Sequence, residues 1–386
     1  MENVVRMPVK ALPTRTLMGP GPSEIHPSVL AALAHPAIGH LDPVFVEMMD
    51  EVKDLLRYAF QTTNALTFPV SGPGSAGMET CFTNLVEEGD KVIVARNGVF
   101  GQRMFEMATR LGAQVVPIDD EWGQPVDPQK LEDALKANPD TRVVSFVHAE
   151  TSTGALSDAR TLVGIARRYG CLTVVDTVTS LAGSPLYVDE WGIDASYSGA
   201  QKCLSCVPGI SPVTIGERAL EKVAKRVKPV ATWFHDISLI SGYWSEGSKR
   251  ADHHTAPVNS IFALAESLRL LKLEGLERSW ERHRHVAEKL VEGLHQLGLK
   301  LLVEDRAVRL GQLTVVRVPE GLDEAQVRNT LLSDYNLDIG AGLGPLAGKV
   351  WRIGLMGYSC RTENVDLLLS SLKQVLSSPK KRAAGV

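Results

Sequence analysis

The chain has 386 residues, 44% hydrophobic and 22% charged, enough for two domains with a large soluble core. A formal net charge of −4 gives no electrostatic reason to expect nucleic acid or an anionic membrane as partner. No segment approaches the ~20 apolar residues of a membrane span.

The N-terminal MENVVRMPVKALPTRTL lacks an apolar core and a cleavage-site pattern, so no signal peptide is expected. The polar tail PKKRAAGV carries no peroxisomal or ER address. Five cysteines, sparse and odd in number, point to reduced thiols in a cytoplasm-like compartment.

Met1 to Leu17 reads as an irregular arm. GPGPS, residues 19–23, is turn-rich, and its glycines permit close backbone approach to a ligand. Pro27 to Ala34 predicts a helix. Val44 to Ala59 predicts another, with Phe45, Met48, Met49, Val52, Leu55 and Leu56 on one side. Leu66 to Pro69 is a short strand leading into SGPGSAG, Ser71 to Gly77, and then a helix from Met78 to Val86. A strand, a glycine-rich turn and a helix N-terminus make an anion site, because free N–H groups and the helix dipole face the loop. No Gly-Lys-Ser/Thr follows, so it is not a Walker loop. The glycines match G-x-G-x-x-G by letter, but no acidic residue closes the next strand.

Strands and helices then alternate. Strands are expected at Lys91–Ala95, Gln114–Ile118, Arg142–His148 and Leu172–Asp176, and helices at Gly98–Leu111, Pro128–Lys136 and Ala159–Tyr169. Such alternation means βα units and a mostly parallel sheet. The unbroken apolar runs at 142–148 and 172–176 fit strands covered on both faces. Ala195–Ser198 and a return strand, Ser211–Ile215, follow.

Thr232 to His254 is polar and aromatic and ends in ADHHTAP. Adjacent histidines on an extended chain point to opposite sides, and no third ligand stands at a helical spacing, so no metal is expected. The CxxC at Cys203 to Cys206 has no second pair, and its thiols read as small packing residues. Asn259–Leu273 and Glu277–Leu297 predict long amphipathic helices. The C-terminal part adds strands at 299–303, 311–317, 336–339 and 350–354 and helices at 323–333 and 362–377. Domains joined by a long helix close over a cleft, where ligands bind.

Two stretches carry chemistry. In DASYSGAQKCLSCVPG, residues 194–209, a strand runs into a turn at Gly199, and Lys202 lies just beyond it. Gln201, Cys203 and Leu204 flank this lysine instead of charge. Poor solvation disfavours an ammonium and frees the amine to attack a carbonyl. In CLTVVD, an apolar run ends in Asp176 at a strand C-terminus, where open α/β sheets bind ligands. An amine and a carboxylate on such strand ends are the groups that pyridoxal phosphate (PLP) needs.

With GPGPS, SGPGSAGMET, HAETSTG, VDTVTSLAG, SGAQKCL, HHTAP and GKVWRIGLMG in place, nearly the whole chain resembles the class V, fold type I PLP-dependent aminotransferases. The alanine–glyoxylate and serine–glyoxylate branch is the most similar. The resemblance implies an α/β large domain with a mostly parallel seven-stranded sheet flanked by helices. A smaller α+β C-terminal domain completes it. The implied division is an arm at 1–17, a large domain at 18–275 and a small domain at 276–386.

The resemblance also assigns roles. Lys202 is the Schiff-base lysine and proton shuttle. Asp176 faces the pyridine nitrogen. Val178 and Phe100 pack on the two ring faces, with Phe100 where the family often has Trp. Thr151 stands near the ring hydroxyl and the substrate. Gly74, Ser75 and Gln201 hold the phosphate, and Thr255 reaches the phosphate of a neighbouring subunit, which implies a homodimer with shared active sites. Arg352 grips the substrate carboxylate, beside Gly19.

Two positions depart from the family. Asp252 stands where Tyr commonly precedes HHT, and a carboxylate beside a phosphate repels it unless it turns away. Position 40, in IGHLDP, also varies. Ureidoglycine–glyoxylate enzymes carry amides at both positions; this chain carries neither, which counts against that donor. The expected activity is amino transfer from alanine or serine to glyoxylate, an amino acid and a 2-oxo acid. The alternatives are ureidoglycine–glyoxylate or 2-aminoethylphosphonate–pyruvate transamination, a cysteine desulfurase-type lyase using Cys360, and a non-catalytic scaffold. The complete Lys202, Asp176 and Arg352 set argues against a scaffold.

Overall fold

The computed structural model describes residues 12–245 and 250–377. Most of the expected N-terminal arm and the PKKRAAGV tail, Pro379 to Val386, therefore lie outside the described residues. The end of that arm is not irregular: Thr16–Leu17 forms a strand, β1.

Helices α1 (Pro27–Leu33) and α2 (Pro43–Phe60) each begin with proline, pre-set for the first helical turn, behind a side-chain cap from His26 or Asp42. Then β2 (Leu66–Ser71), α3 (Gly74–Leu85), β3 (Lys91–Arg96), α4 (Val99–Arg110), β4 (Gln114–Asp119) and α5 (Pro128–Ala137) alternate. They are followed by β5 (Thr141–Val147), the small hairpin β6 (Ala149–Glu150) and β7 (Ala155–Leu156), α6 (Ala159–Arg168) and β8 (Leu172–Asp176). Next come α7 (Val188–Trp191), β9 (Ala195–Tyr197), β10 (Ile210–Ile215), α8 (Glu217–Ala224) and α9 (Ile237–Tyr243).

Long helices α10 (Val258–Glu274) and α11 (Leu276–Gln296) lead to β11 (Leu313–Arg317) and α12 (Glu324–Tyr335). Three short strands, β12 (Leu337–Asp338), β13 (Gly340–Ala341) and β14 (Val350–Gly354), precede the last described helix, α13 (Thr362–Ser377).

Among the described residues, seven strands form one sheet in the order β2-β10-β9-β8-β5-β3-β4. The pairs β3–β4, β3–β5, β5–β8 and β8–β9 are parallel, and β10 runs antiparallel to both its neighbours. This is the mostly parallel seven-stranded sheet that the family resemblance implies. Its core is built from residues such as Phe82, Val94, Phe146, Val174 and Leu264, all essentially inaccessible to solvent. A second core gathers α11, α13 and the three-stranded sheet β11-β14-β13 around Leu290, Trp351 and Leu368. Met18 belongs to this second core, and β1 pairs in parallel with β12.

Three expectations differ in detail. The helix expected from Met78 starts at Gly74, because packing of α3 on β9 and β10 overrides the low helix propensity of its glycines. Residues 299–303 run beside β11 but make a single bridge, Leu301 to Val316. On either side of that bridge the Leu302 N–H donates to Val315 O and the Arg317 N–H to Lys300 O, both at 2.8 Å, while the Leu301 N–H faces away from β11 and donates to the Glu304 carboxylate, 2.8 Å away. The stretch 336–339 pairs with β1 instead of extending the larger C-terminal sheet.

Candidate active site

The parallel strands deliver their loops to one edge of the sheet. β2 runs into the α3 N-terminus at Gly74 and Ser75, and β3 into the α4 N-terminus at Phe100. β8 ends at Asp176, and β9 ends five residues before Lys202. These residues, with Thr151, Val178 and Gln201, line one cavity of about 240 Å³. A larger cavity, about 520 Å³, lies beside Trp280 and Arg306, but no lysine faces a strand-end carboxylate there.

Asp176 is buried and held at both oxygens. The Val178 N–H donates to Oδ1 at 2.8 Å, and the Tyr197 hydroxyl to Oδ2 at 2.9 Å. Burial pushes this carboxyl up to about 7, against the pull of those two donors, and nearby Glu150 adds to the rise. Lys202 is shifted the opposite way. Burial brings its ammonium down to about 8, and the charge of Arg352 contributes. A carboxylate and an amine thus face one small space, each with its charged form disfavoured. That is the condition in which the amine is nucleophilic near neutral pH.

GPGPS closes against the lysine. Lys202 Nζ donates to the Pro20 carbonyl. Ser23 stitches the loop to the lysine turn, its N–H donating to Gln201 O at 2.9 Å and its hydroxyl to Lys202 O at 2.8 Å. Gly21 has φ +105°, and a Cβ there would collide with Lys202 Nζ, so only glycine fits.

Arg352 stands on β14 and is nearly buried. Its Nε donates to Ala341 O at 2.6 Å and its Nη1 to Thr151 O at 3.3 Å. Among the described residues no carboxylate comes within ion-pair distance of it. Burial lowers it to about 10, and the negative charge of Glu150 opposes that fall. The guanidinium is therefore a cation held by two carbonyls, close enough to Lys202 to affect its charge. Gly19 lies beside the same strand, where the Gly354 N–H donates to Met18 O at 2.7 Å.

Thr255 is exposed and does not line its own chain's cavity. The two departing positions meet: His40 Nε2 and Asp252 Oδ1 are 3.2 Å apart. The neighbouring histidines do not point to opposite sides. His253 and His254 share a hydrogen bond between their Nδ1 atoms at 2.8 Å, because residues 251–257 are irregular chain and strand alternation does not apply. Among the described residues no group of three His, Cys, Asp or Glu could hold a metal ion. Cys203, Cys206 and Cys360 are buried, and burial pushes each thiol up to about 12.

Sequence reasoning misses Tyr197, Glu150 and Arg103. Arg103 lines the cavity and sets its guanidinium 4.8 Å from the Phe100 ring centre. The spacing of Arg103, one helical turn after Phe100, is the signal that could have found it. Tyr197 was readable only from its register opposite Asp176.

A parallel sheet with helices about it, a lysine and an aspartate at its strand ends, and an arginine on a second core define a fold type I transferase. The chain belongs to the class V aminotransferases: the family model for aminotransferase class-V matches residues 26–368. That family is PLP-dependent. The chain is 43% identical over 366 residues to the alanine–glyoxylate aminotransferase of Oryctolagus cuniculus, covering 94% of this chain and 93% of that one. It is 38% identical over 383 residues to the (S)-ureidoglycine–glyoxylate transaminase of Bacillus subtilis, covering 94% and 91%. Among solved structures, the alanine–glyoxylate aminotransferase of Nostoc sp. superposes with a TM-score of 0.93 at 46% identity, covering 97% of this chain and 99% of that one.

Proposed function

We propose that this chain is a PLP-dependent transaminase that moves the amino group of alanine or serine to glyoxylate, giving glycine and pyruvate or hydroxypyruvate. The observation that carries the reading is the Lys202–Asp176 pair facing one cavity from adjacent strand ends. The similarity to alanine–glyoxylate aminotransferases supports the substrates.

The residues present fit the cofactor. Among the described residues Gln201 Oε1 is buried without a partner, in the cavity that Gly74 and Ser75 of the α3 N-terminus also line, and the same amide turned over offers N–H groups to a phosphate. Asp176 is a buried carboxylate in want of a cation, which a pyridinium supplies. Bound there, PLP would provide a carbonyl for Lys202 and a ring that withdraws electrons from the substrate Cα. Gly74, Ser75 and Gln201 would hold its phosphate, Val178 and Phe100 its faces, and Thr151 its hydroxyl side. Lys202 Nζ would take and return the proton at the substrate Cα. Arg352, with Gly19 beside it, would orient the substrate carboxylate by a planar two-point grip.

Thr255 would complete the phosphate site of a second subunit, as the exposure of Thr255 on its own chain permits. We also assign the chain to a cytoplasmic compartment, on the sparse, unpaired cysteines, and divide it at 18–275 and 276–386, with Met18 packing on the second part. No helix among the described residues is long and apolar enough to cross a membrane.

The His40–Asp252 pair, standing where ureidoglycine enzymes carry amides, argues against ureidoglycine as donor. A desulfurase would need a reactive thiol near the cofactor; Cys360 is wholly buried with its thiol held protonated. The deciding experiment compares alanine, serine, ureidoglycine, cysteine and 2-aminoethylphosphonate as donors, with glyoxylate and pyruvate as acceptors. Glycine formed from glyoxylate at the expense of alanine or serine is the expected result. A purified protein that gains no visible absorbance with PLP, or shows none of these transfers, would refute the reading.

A further inference from the structure

Glu150 ends β6 and is wholly buried, yet no role above uses it. Its carboxylate meets four donors. Oε1 accepts from Ser152 N at 3.0 Å and Ser152 Oγ at 2.6 Å. Oε2 accepts from Phe100 N at 3.1 Å and Gly101 N at 3.4 Å. Those last two are first-turn N–H groups of α4, which have no partner inside the helix. The capping residue of α4 is Gly98, which has no side chain to meet them. Ser152 Oγ takes a third, Val99 N, at 2.9 Å. A carboxylate fifty positions away in the chain thus caps α4. A Cβ at Gly98 would collide with Glu150 and with Ser152 Oγ, so the glycine makes room for this cap.

A Ser at position 98, with no Glu150 in the way, would cap the helix without burying a charge. Burying a carboxylate carries a large desolvation cost even when it is hydrogen-bonded. The site gives the buried charge a second task. Phe100 and Arg103, on the first turns of α4, line the cavity. Val147, three residues before Glu150, pairs in register with Asp176, so the two carboxylates share one end of the sheet. Thr151, the next residue, accepts from Arg352.

We propose that Glu150 is a positioning residue for the transamination, setting where Phe100 stands against the cofactor ring and setting the field at Asp176. This rests on the PLP reading above. Asp176 is faced by Tyr197, Cys81, Lys202 and Glu150, and Glu150 in turn by Tyr197 and Arg352. Of the charges around Asp176, Lys202 favours its ionised form and Glu150 opposes it.

The test is Glu150→Gln. An amide offers one acceptor and one donor where the carboxylate offered two acceptors, so N–H must face N–H somewhere. The apoprotein is expected to fold, and its dissociation constant for PLP to rise by on the order of tenfold, as for one charge-assisted hydrogen bond. The visible circular dichroism of bound PLP, which reports the ring's asymmetric surroundings, should fall. The acid limb of PLP affinity against pH should move to lower pH, because Asp176 ionises more readily without the neighbouring charge. A cap with no role in the site would lower thermal stability and leave the limb and the dichroism unmoved; that result overturns the proposal.

Should the Gln variant not fold, Ser152→Ala keeps the charge and removes one donor to Glu150 and the partner of Val99. A smaller loss of dichroism with the acid limb in place is then expected, and wild-type dichroism overturns the proposal. Failure of the wild type to bind PLP defeats the proposed function itself. Normal binding by the wild type beside an unaltered variant defeats only the role of Glu150.

Discussion

Tyr197 and Asp176 sit opposite each other in register on adjacent parallel strands, and the tyrosine hydroxyl donates a 2.9 Å hydrogen bond to Asp176 Oδ2. With the Val178 N–H on Oδ1, the carboxylate is fixed in plane and cannot rotate away from the cavity. Both side chains are buried, so each bond is made in a place where water cannot replace it. Tyr197→Phe should remove one donor to the ionised form, about 1.5–3 kcal/mol for a charged acceptor. Apoprotein titrated with PLP should then bind it roughly ten- to a hundredfold more weakly. An unchanged dissociation constant would show that Tyr197 only fills space.

The elevated carboxyl has a consequence for the apoprotein. Asp176 goes from an ordinary 3.8 to about 7 on folding. The folded state therefore holds a proton that the unfolded chain releases. Stability must decline as pH rises through that window, and the decline ends above about 7. Asp176→Asn is neutral at every pH and lacks this term. The melting temperature of the Asn apoprotein, relative to wild type, should climb between about pH 4 and pH 7 and level off above that. A difference independent of pH would mean that Asp176 is ionised throughout, its burial compensated by groups other than those described.

Lys202→Ala should abolish turnover and leave the fold intact, because the side chain meets Pro20 O and otherwise faces the cavity. The variant's far-UV circular dichroism and its rate with alanine and glyoxylate check both halves. Appreciable transamination by the purified variant would place the proton-transfer group elsewhere.

The parts legible in the sequence are those written locally. Asp176 ends an unbroken apolar run, and Lys202 follows a strand among uncharged neighbours, so each declares its environment within ten residues. The βα alternation likewise shows in the periodicity, and the mostly parallel sheet follows from it, whereas its seven strands come from the family resemblance. What stayed hidden depends on distance in space. Glu150 caps a helix that starts far earlier in the chain, and nothing in HAETSTG says which helix. Arg352 finds its partners in the carbonyls of Ala341 and Thr151, which no residue type could announce. The alternation rule failed at His253 and His254 because it presumes a strand, and the chain there is irregular.

The shared site proposed above predicts that Thr255 acts on a partner molecule. Thr255→Val keeps the shape and removes the hydroxyl. It should weaken PLP binding without changing the oligomer's mass, since one phosphate contact is lost and no packing is disturbed. Light scattering and PLP titration together check it. A fully active monomer of the wild type would remove the basis for the shared site.

Arg352→Lys separates anchoring of substrate from support of the fold. Lysine keeps the charge but loses the planar fork, and one ammonium cannot replace two parallel hydrogen bonds to a carboxylate. Losing one such bond, roughly 1.5–3 kcal/mol, should lower kcat/KM for both amino donor and glyoxylate by about one to two powers of ten. The structure adds a second effect. The guanidinium also holds Ala341 O at 2.6 Å and Thr151 O at 3.3 Å, so it does have partners in the protein. Thermal stability should therefore fall too, by about 1 kcal/mol for a weakened carbonyl contact. PLP absorbance should stay near that of the wild type, because the role proposed for Arg352 is to hold substrate and not cofactor. The two losses are distinguishable by their substrates: the kinetic loss must appear with every carboxylate-bearing donor and acceptor alike. If stability drops while kcat/KM holds for both, Arg352 is a structural cation and the carboxylate is gripped elsewhere.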